Sequence, residues 1–259
     1  MQTLNYESVQ LKKGTSQKVN DTLVLEAALQ ININNEAYTV VMRTPDDDEE
    51  LIRGLLYAED IYKSKEKLQL EVVESSENGF CIVNAVIPKA KLGKGYLNKR
   101  TLLSVSSCGI CGKQKLDDIK LTGNALSSNT LINTSILKEL FSAMQKLQVV
   151  FDKTGGSHAA AIFDKNKNLL VIREDIGRHN AVDKAIGNLL NEHKLEDAAL
   201  MLVSGRVSYE IISKAFIAKI PVIAAVSACS SLAVDFAKEF GIRLIGFSRD
   251  NNAMLYTNP

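Results

Sequence analysis

The chain has 259 residues, of which 46% are apolar, with four cysteines and a formal net charge of +1 at pH 7. This composition suffices for one large domain or two modest ones without disulfide staples, and the balanced charge excludes a global field that would attract nucleic acid or anionic lipid. No signal-peptide core and no run of roughly 20 apolar residues is present, so the sequence predicts a cytosolic protein that does not span a membrane.

Two hairpins are predicted in the first part of the chain. Residues 21–43 contain two runs rich in Val, Ile, Leu and Thr around the turn-prone pair Asn34-Asn35. Residues 68–88 repeat the pattern, with Asn78-Gly79 at the turn. This part therefore reads as strands with a helix between them.

The helix between the hairpins is predicted to begin at Thr44 and Pro45. Threonine is a good cap and proline suits the first helical position. Three aspartates follow, where the positive end of the helix dipole favours them. We predict a mixed α+β domain over residues 1–120.

Residues 121–134 are small and polar, which predicts a linker, and residues 135–259 then alternate between helical and strand patterns. Such alternation predicts an α/β domain whose sheet is covered by helices on its faces and is largely parallel in its second part. The predicted helices are 135–151, 180–193, 208–219 and 231–240, and the predicted strands are 158–164, 169–175, 198–205, 221–228 and 242–249.

Cys108 and Cys111 form the one closely spaced cysteine pair, each followed by a glycine, Gly109 or Gly112. A structural zinc site needs a second half that the sequence lacks, unless a dimer shares the metal. The glycines disfavour the helix that a thioredoxin-like redox pair requires. An inert pair in a turn remains an alternative, but the small polar neighbours offer no apolar pocket, so reactive chemistry is favoured.

Residues 173–187, REDIGRHNAVDKAIG, predict a strand, a turn and a helix. We expect Asn180 to cap this helix with Asp183 at the capping-box position. Arg178 and His179 would then lie at a helix amino terminus, where free amides and the dipole favour a phosphate.

The alternative interpretation of the same segment is structural. Arg178 would pair with Glu174 or Asp175, and His179 would be a satisfied surface residue. The residues alone do not decide between the two interpretations.

Two further strand-to-helix turns carry Ser204-Gly205-Arg206 and Ser227 to Ser231, and His158 follows paired glycines. Open parallel sheets bind ligands at the carboxyl ends of their strands. Together these turns predict a pocket for a polar, phosphate-bearing ligand, although no P-loop or dinucleotide fingerprint occurs.

The chain resembles the formate dehydrogenase accessory sulfurtransferases, the FdhD family. The resembling segments are MRTPDDDEELIRGLL, SSCGICG, TGGSHAAAIFD, EDIGRHNAVDKAIG, SGRVSYEIISKAF, SACSSLAVDFAKEFG and GFSRDNNAMLYT. They span residues 25–257. The resemblance implies a cytosolic sulfurtransferase, commonly a homodimer, that accepts persulfide sulfur from a cysteine desulfurase.

The resemblance further implies that the sulfur passes to bis-molybdopterin guanine dinucleotide, the molybdenum cofactor destined for the formate dehydrogenase catalytic subunit. Cys108 matches the persulfide-bearing position and Cys111 its neighbour. The implied cofactor-binding residues comprise a guanine-binding segment, Phe247, Ser248, Arg249, Asp250, Asn251 and Asn252, and the turns with Arg178, His179, Ser204, Gly205 and Arg206.

The family's C-terminal domain is similar in fold to the cytidine deaminases, so we expect a three-layer α/β arrangement there. Deaminase zinc chemistry needs H-x-E and P-C-x-x-C. This chain has His158-Ala159-Ala160 and Ser227 to Ser231 instead, which excludes deamination. Cys229 stands where the family more often has proline, and a third reactive thiol is therefore an open question.

The rival hypotheses are a cofactor-binding chaperone without sulfur transfer and a zinc-bridged dimer.

Overall fold

The structure, a computed structural model, describes residues 1–97, 123–127, 130, 132–249 and 251–259. In these residues the strands are β1 (Thr3–Lys12), β2 (Thr15–Val24), β3 (Ala27–Ile33), β4 (Glu36–Arg43), β5 (Gln69–Ser75), β6 (Cys81–Val86), β7 (His158–Phe163), β8 (Leu169–Asp175), β9 (Leu200–Val203), β10 (Val222–Ala225), β11 (Arg243–Arg249) and β12 (Asn252–Thr257). The α-helices are α1 (Asp48–Ala58), α2 (Thr134–Lys146), α3 (Val149–Thr154), α4 (Arg178–Asn191), α5 (Tyr209–Ile217) and α6 (Ser231–Glu239).

An N-terminal hairpin of β1 and β2 was not predicted from the sequence. The two strands pair antiparallel in one unbroken register, but most of their side chains are exposed. The sequence therefore lacks the apolar alternation by which a half-buried strand is recognised.

The two predicted hairpins are confirmed, and they form a four-stranded sheet in the order β4-β3-β6-β5. Asn34 and Asn35 adopt φ values of 51° and 67°, the left-handed conformation that a tight hairpin turn requires. Leu29, Ile31 and Ile33 alternate along β3 and are fully buried in a core that includes apolar residues of α1. Strands β3 and β6 at the centre of the sheet run parallel.

The predicted start of α1 was wrong. The helix begins at Asp48, because Asp46 and Asp47 adopt left-handed conformations and separate Pro45 from the first turn. Thr44 does not cap α1, since its amide and hydroxyl bind groups at the end of β8 instead.

The second sheet has six strands in the order β12-β11-β10-β9-β7-β8. The prediction that the sheet is largely parallel in its second part is confirmed, because β9, β10 and β11 run parallel to one another. The hairpin β7–β8 joins β9 antiparallel at one edge, and β12 turns back along β11 at the other. The sheet is therefore mixed.

Helices cover both faces of this sheet, as expected for a three-layer α/β arrangement. Leu137, Leu140 and Met144 of α2 join the apolar side chains of one face. Buried residues of α4, α5 and α6 join those of the other. None of the helices in the described part of the chain has the length and apolarity to cross a bilayer.

The predicted helix 135–151 is two helices, α2 and α3, with a break at Leu147 and Gln148. The cause is a carboxylate distant in sequence. Glu174, in β8, accepts hydrogen bonds from the amides of Val150 and Phe151, both at 2.8 Å. These amides lie in the first turn of α3, so Glu174 supplies its cap.

The linker prediction concerns a segment that is described only in part. The Leu126 amide donates to the Phe240 carbonyl at 2.7 Å, and Arg243 donates to the Thr130 carbonyl at 2.6 Å. These described residues lie along the end of α6 and the start of β11. The domain boundaries at 120 and 134 remain a prediction.

Helices α1 and α4 cross at very close range, which joins the first part of the chain to the second. A Cβ atom on Gly54 of α1 would lie 1.9 Å from the Asp183 carbonyl oxygen. A Cβ atom on Gly187 of α4 would lie 1.8 Å from the Glu50 carbonyl oxygen. Each helix thus presents a glycine to the backbone of the other, and no larger residue fits at this spacing.

A buried ion pair also joins the two parts. Lys184 of α4 lies 2.8 Å from Asp175 at the end of β8, and both side chains are fully buried. The Lys184 ammonium also donates to the Thr44 carbonyl at 2.8 Å, and the Thr44 amide donates to Asp175 at 3.1 Å. The pair therefore fixes the turn before α1 against the start of α4.

The predicted capping box of α4 was wrong. Gly177 precedes the helix, and Asn180 lies inside it and donates to Asp175 and to the Met42 carbonyl. Asp183 instead accepts from Lys214 of α5 at 2.6 Å. Much of the 173–187 motif thus serves the packing between the two parts of the chain.

Replacing Gly187 with alanine should lower the free energy of unfolding by about 1–3 kcal/mol, because the new methyl group overlaps the Glu50 carbonyl. Helix propensity alone would favour alanine by about 1 kcal/mol, so the sign of the change is diagnostic. Urea unfolding measures it. The control Asn191→Ala, at the end of the same helix, should change stability by less than about 0.5 kcal/mol. A Gly187→Ala variant as stable as wild type would contradict the close crossing.

Replacing Asp175 with asparagine should cost about 3–5 kcal/mol, because Lys184 then stays buried without its counter-charge. Thermal and urea unfolding would show the loss. The matched control is Lys65→Gln in the exposed Lys65–Glu196 pair, which should leave stability unchanged within error. Equal stability of the two variants would mean that the buried pair does not hold the two parts together.

Candidate functional site

The predicted ligand-binding turns lie together where the parallel strands of the six-stranded sheet reach their carboxyl ends, and this boundary is called the edge of the sheet from here on. Strands β9, β10 and β11 end there, and the pairing of His158 with Asp175 brings the start of β7 and the end of β8 to the same edge. Backbone hydrogen bonds join the turns: the Val207 amide donates to the Ala228 carbonyl, and the Phe247 amide to the Ser227 carbonyl, each at 3.0 Å. The turns therefore form one continuous surface.

Ser204 and Gly205 lie at the centre of this edge. The Ser204 hydroxyl accepts from the Ala159 amide at 2.9 Å and lies 3.3 Å from Nδ1 of His158. A Cβ atom on Gly205 would lie 3.2 Å from His158 Nδ1 and also from two side-chain carbons of Arg178. The missing side chain of Gly205 thus lets His158 and Arg178 approach the same point of the backbone.

The electrostatic potential near the backbone of Gly205 is positive. Burial, and then the charges of Arg178 and Arg206, lower the pKa of His158 below its ordinary value of 6.5. Nε of Arg178 is buried and has no hydrogen-bond partner among the described residues. Helix α4 begins here without a side-chain cap, so its first amides add a partial positive charge. The arrangement suits an anion.

The structure does not show the ion pair that the structural interpretation expected for Arg178. Both acidic residues proposed as its partner are engaged elsewhere. Glu174 caps α3, and Asp175 pairs with Lys184. The guanidinium of Arg178 is therefore not held by the ion pair that the alternative reading of the motif expected.

His179 lies deeper than the other predicted binding residues. Its ring is buried, and Nε2 lies 3.1 Å from both the Ser208 hydroxyl and a Glu210 carboxylate oxygen. Ser208 and Glu210 belong to the start of α5, so His179 holds the amino termini of α4 and α5 together. This geometry suits a residue that positions the site rather than one that contacts a ligand.

The segment 247–252 is a tight hairpin rather than a polar tail. Arg249 pairs with Asn252 at the start of β12, and Asn251 adopts a left-handed conformation with φ of 64°. Asp250 lies outside the described residues. The sequence analysis missed β12, although Asx residues before an alternating run are a turn signal.

Phe247 and Ser248 have features typical of functional positions. Phe247 adopts φ of 50°, a strained conformation for an aromatic residue, and its ring remains 39% exposed. The Ser248 hydroxyl is buried and has no partner among the described residues. A surface groove of about 760 Å³ adjoins this hairpin, with Lys138 and Lys146 of α2 on one side and Asn251 on the other.

Cys108 and Cys111, the predicted catalytic pair, lie outside the described residues. Among the described ones, no group of three or more His, Cys, Asp or Glu side chains is arranged to hold a metal ion. Cys81 is buried in the four-stranded sheet, and burial raises the pKa of its thiol. Burial also raises the pKa of Cys229 to about 11.

Sequence reasoning missed Thr44, Ser208 and Glu210 as residues that position the site. Thr44 meets Asp175 across 131 residues of chain, and no local pattern marks such a contact. Ser208 was only the first residue of the predicted helix 208–219, and its hydroxyl in fact binds the ring of His179.

Cys229 should resist alkylation in the folded protein. With a pKa of about 11, only about one molecule in 3,000 is a thiolate near pH 7.5, against roughly one in ten for an ordinary thiol. Iodoacetamide should thus modify Cys229 roughly two orders of magnitude more slowly than in urea-unfolded protein, and faster as the pH rises. Peptide mapping by mass spectrometry gives the rates. Equal rates in both states would contradict the shielding of this thiol.

Comparisons with known proteins extend over nearly the whole chain. The sequence model described as the FdhD/NarQ family matches residues 24–259. A relative from Streptomyces coelicolor, named "Sulfur carrier protein FdhD", is 39% identical over 96% of this chain and 91% of its own. Relatives with the same name from Picrophilus torridus (40% identity, 93% and 92%) and Sulfolobus acidocaldarius (37% identity, 100% and 98%) match similarly.

The fold is shared with a solved structure. A crystal structure from Desulfotalea psychrophila, described as a formate dehydrogenase accessory protein, has a TM-score of 0.74 and 22% identity to this chain. The match covers 100% of this chain and 98% of that one. At this identity the likeness establishes the architecture alone, whereas the sequence match establishes descent. The chain belongs to the FdhD/NarQ family.

Proposed function

We propose that this protein is a sulfur carrier that serves formate dehydrogenase. Relatives that match almost end to end are named "Sulfur carrier protein FdhD", and this observation carries the proposal. The cysteine pair Cys108 and Cys111 supplies the thiols that such a role needs. The proposed compartment is the cytoplasm, and the proposed assembly is a homodimer.

Sulfur enters by attack of the Cys108 thiolate on the outer sulfur of a persulfide carried by a cysteine desulfurase. The bond between the two donor sulfurs breaks, the donor cysteine leaves as a thiolate, and a new sulfur–sulfur bond forms at Cys108. Because the thiolate is the nucleophile, a lowered pKa would speed the step, and the neighbouring Lys113 favours the anion.

Cys111 is close enough in sequence to affect the outcome. Its thiolate can attack the inner sulfur of a Cys108 persulfide, which releases hydrogen sulfide and closes a disulfide. A productive carrier must therefore keep Cys111 apart from the loaded persulfide or use it to relay the sulfur. The flanking Gly109 and Gly112 permit the backbone conformations that either solution needs.

The proposed acceptor is bis-molybdopterin guanine dinucleotide, bound as a substrate at the edge of the six-stranded sheet. Arg178, Arg206 and the start of α4 support this assignment, since guanidinium groups and free helix amides suit phosphates. Phe247 offers an exposed ring against which guanine can stack.

The spacing of these groups favours a long ligand. In the sheet order, β10 separates β9, which leads to Arg206, from β11, which leads to Phe247. Strands two places apart lie about 10 Å from each other. Such a span suits a dinucleotide, with phosphates near Arg206 and the base near the polar groups of Arg249, Asp250, Asn251 and Asn252.

Delivery returns Cys108 to its thiolate form. The transferred sulfane sulfur is at the zero oxidation level, so its incorporation as a sulfido ligand requires two electrons. A reduced Mo(IV) centre of the substrate would supply them and would itself be oxidised to Mo(VI). The chain provides the nucleophile, the positive edge and the aromatic contact. The sulfurated cofactor then activates the formate dehydrogenase catalytic subunit.

A cell that lacks this protein and expresses Cys108→Ala should show formate dehydrogenase activity no higher than the deletion background, because no persulfide forms. Cys229→Ser is the matched control and should restore activity, since that thiol is protonated near neutral pH. Assays of formate dehydrogenase activity measure the effect of each variant, and immunoblots measure the amount of each variant protein. Full activity with a folded Cys108→Ala protein would favour the chaperone without sulfur transfer. Zinc analysis of the purified protein tests the zinc-bridged dimer.

A further inference from the structure

His158 is held at the edge of the sheet by one side of its ring. The residue begins β7 and is half-buried, and its Nδ1 lies 3.3 Å from the Ser204 hydroxyl. That hydroxyl is itself fixed by the Ala159 amide at 2.9 Å. The ring is therefore oriented by its neighbours before any ligand arrives.

Burial and the charges around His158 disfavour its protonation in the unliganded protein. Burial, Arg178 and Arg206 lower its pKa, and Asp175 is the one charge among the described residues that raises it. Asp175 is already engaged by Lys184 and by the amides of Thr44 and Gly177. A proton on His158 would thus add a third positive charge beside two guanidinium groups.

We infer that His158, Arg178 and Arg206 form an anion cradle in which His158 becomes the third cation only when an anion is bound. Ligand binding would therefore take up a proton. The inference rests on the proposed function for the identity of the ligand, a phosphate-bearing nucleotide, and it adds a residue and a proton to that proposal.

The physical reason is linkage between two binding events. An anion between the guanidinium groups cancels the repulsion that disfavours the imidazolium, and an imidazolium beside the anion gains a charge-assisted hydrogen bond. We therefore expect the pKa of His158 to be higher in the complex than in the free protein. Binding and protonation strengthen each other to the same extent.

The direction of the pH effect follows. In the free protein the pKa of His158 lies below 6.5, and in the complex it lies higher. Between the two values, affinity should rise by up to about tenfold for each unit by which the pH falls. Above both values His158 is neutral with and without ligand, and its contribution to the pH dependence disappears.

The other two histidines provide controls. His179 is buried, and its Nε2 faces Ser208 and Glu210, so its environment is set by protein groups. His193 follows the far end of α4 and is exposed. His193→Gln should therefore leave both affinity and proton uptake unchanged.

The test is isothermal titration calorimetry with GDP between about pH 6 and about pH 8, in buffers of different ionisation enthalpy. Wild type should take up as much as one proton more per GDP than His158→Gln near the lower end of this range. Its affinity advantage over His158→Gln should grow by about tenfold over the same interval. The phosphate of GDP titrates equally in both proteins, so the difference isolates His158.

Identical proton uptake in wild type, His158→Gln and His158→Asn would overturn the inference, even with tight GDP binding. Absence of GDP binding at every pH would instead contradict the nucleotide part of the proposed function. In that event inorganic pyrophosphate decides the question. His158-dependent proton uptake with pyrophosphate supports the cradle, and its absence there overturns it.

Discussion

The buried ion pair between Asp175 and Lys184 is the contact on which the placement of the candidate site depends. Burying either charge alone would cost free energy. The cost is offset because the two charges lie together, the Thr44 amide donates to Asp175, and Lys184 donates to the Thr44 carbonyl. Asp175 also accepts from the Gly177 amide, directly before α4. One carboxylate therefore sets both the turn before α1 and the start of the helix that carries Arg178.

The candidate site is a local positive surface in a chain without appreciable net charge. Its charge comes from Arg178, Arg206 and the uncapped start of α4, and Gly205 leaves the space in which they meet His158. Among the described residues, Glu174 and Asp175 do not pair with these arginines, because they are committed to helix capping and to the buried pair. The same commitments that stabilise the fold thus leave the arginines available for a ligand.

Local patterns in the sequence were sufficient for much of the architecture. The Asn34-Asn35 turn, the strands of the four-stranded and six-stranded sheets other than β12, and the clustering of turns at one sheet edge follow from periodicity and turn chemistry. The start of α1 and the break before α3 do not, because Asp175 and Glu174 act on them across more than twenty residues. In the motif at 173–187, the resemblance implied that Arg178 and His179 bind the cofactor, and the structure shows that several other residues of the motif join the two parts of the chain.

The central claim is that sulfur carried at Cys108 passes to a cofactor held at the positive edge of the sheet. The most direct measurement follows radioactive sulfur from labelled cysteine, through a cysteine desulfurase and this protein, to isolated bis-molybdopterin guanine dinucleotide. The account predicts label on residues 104–114 of the loaded protein, and its quantitative appearance in the cofactor after mixing. Label that never reaches this segment, or that stays on the protein in the presence of cofactor, would contradict the account.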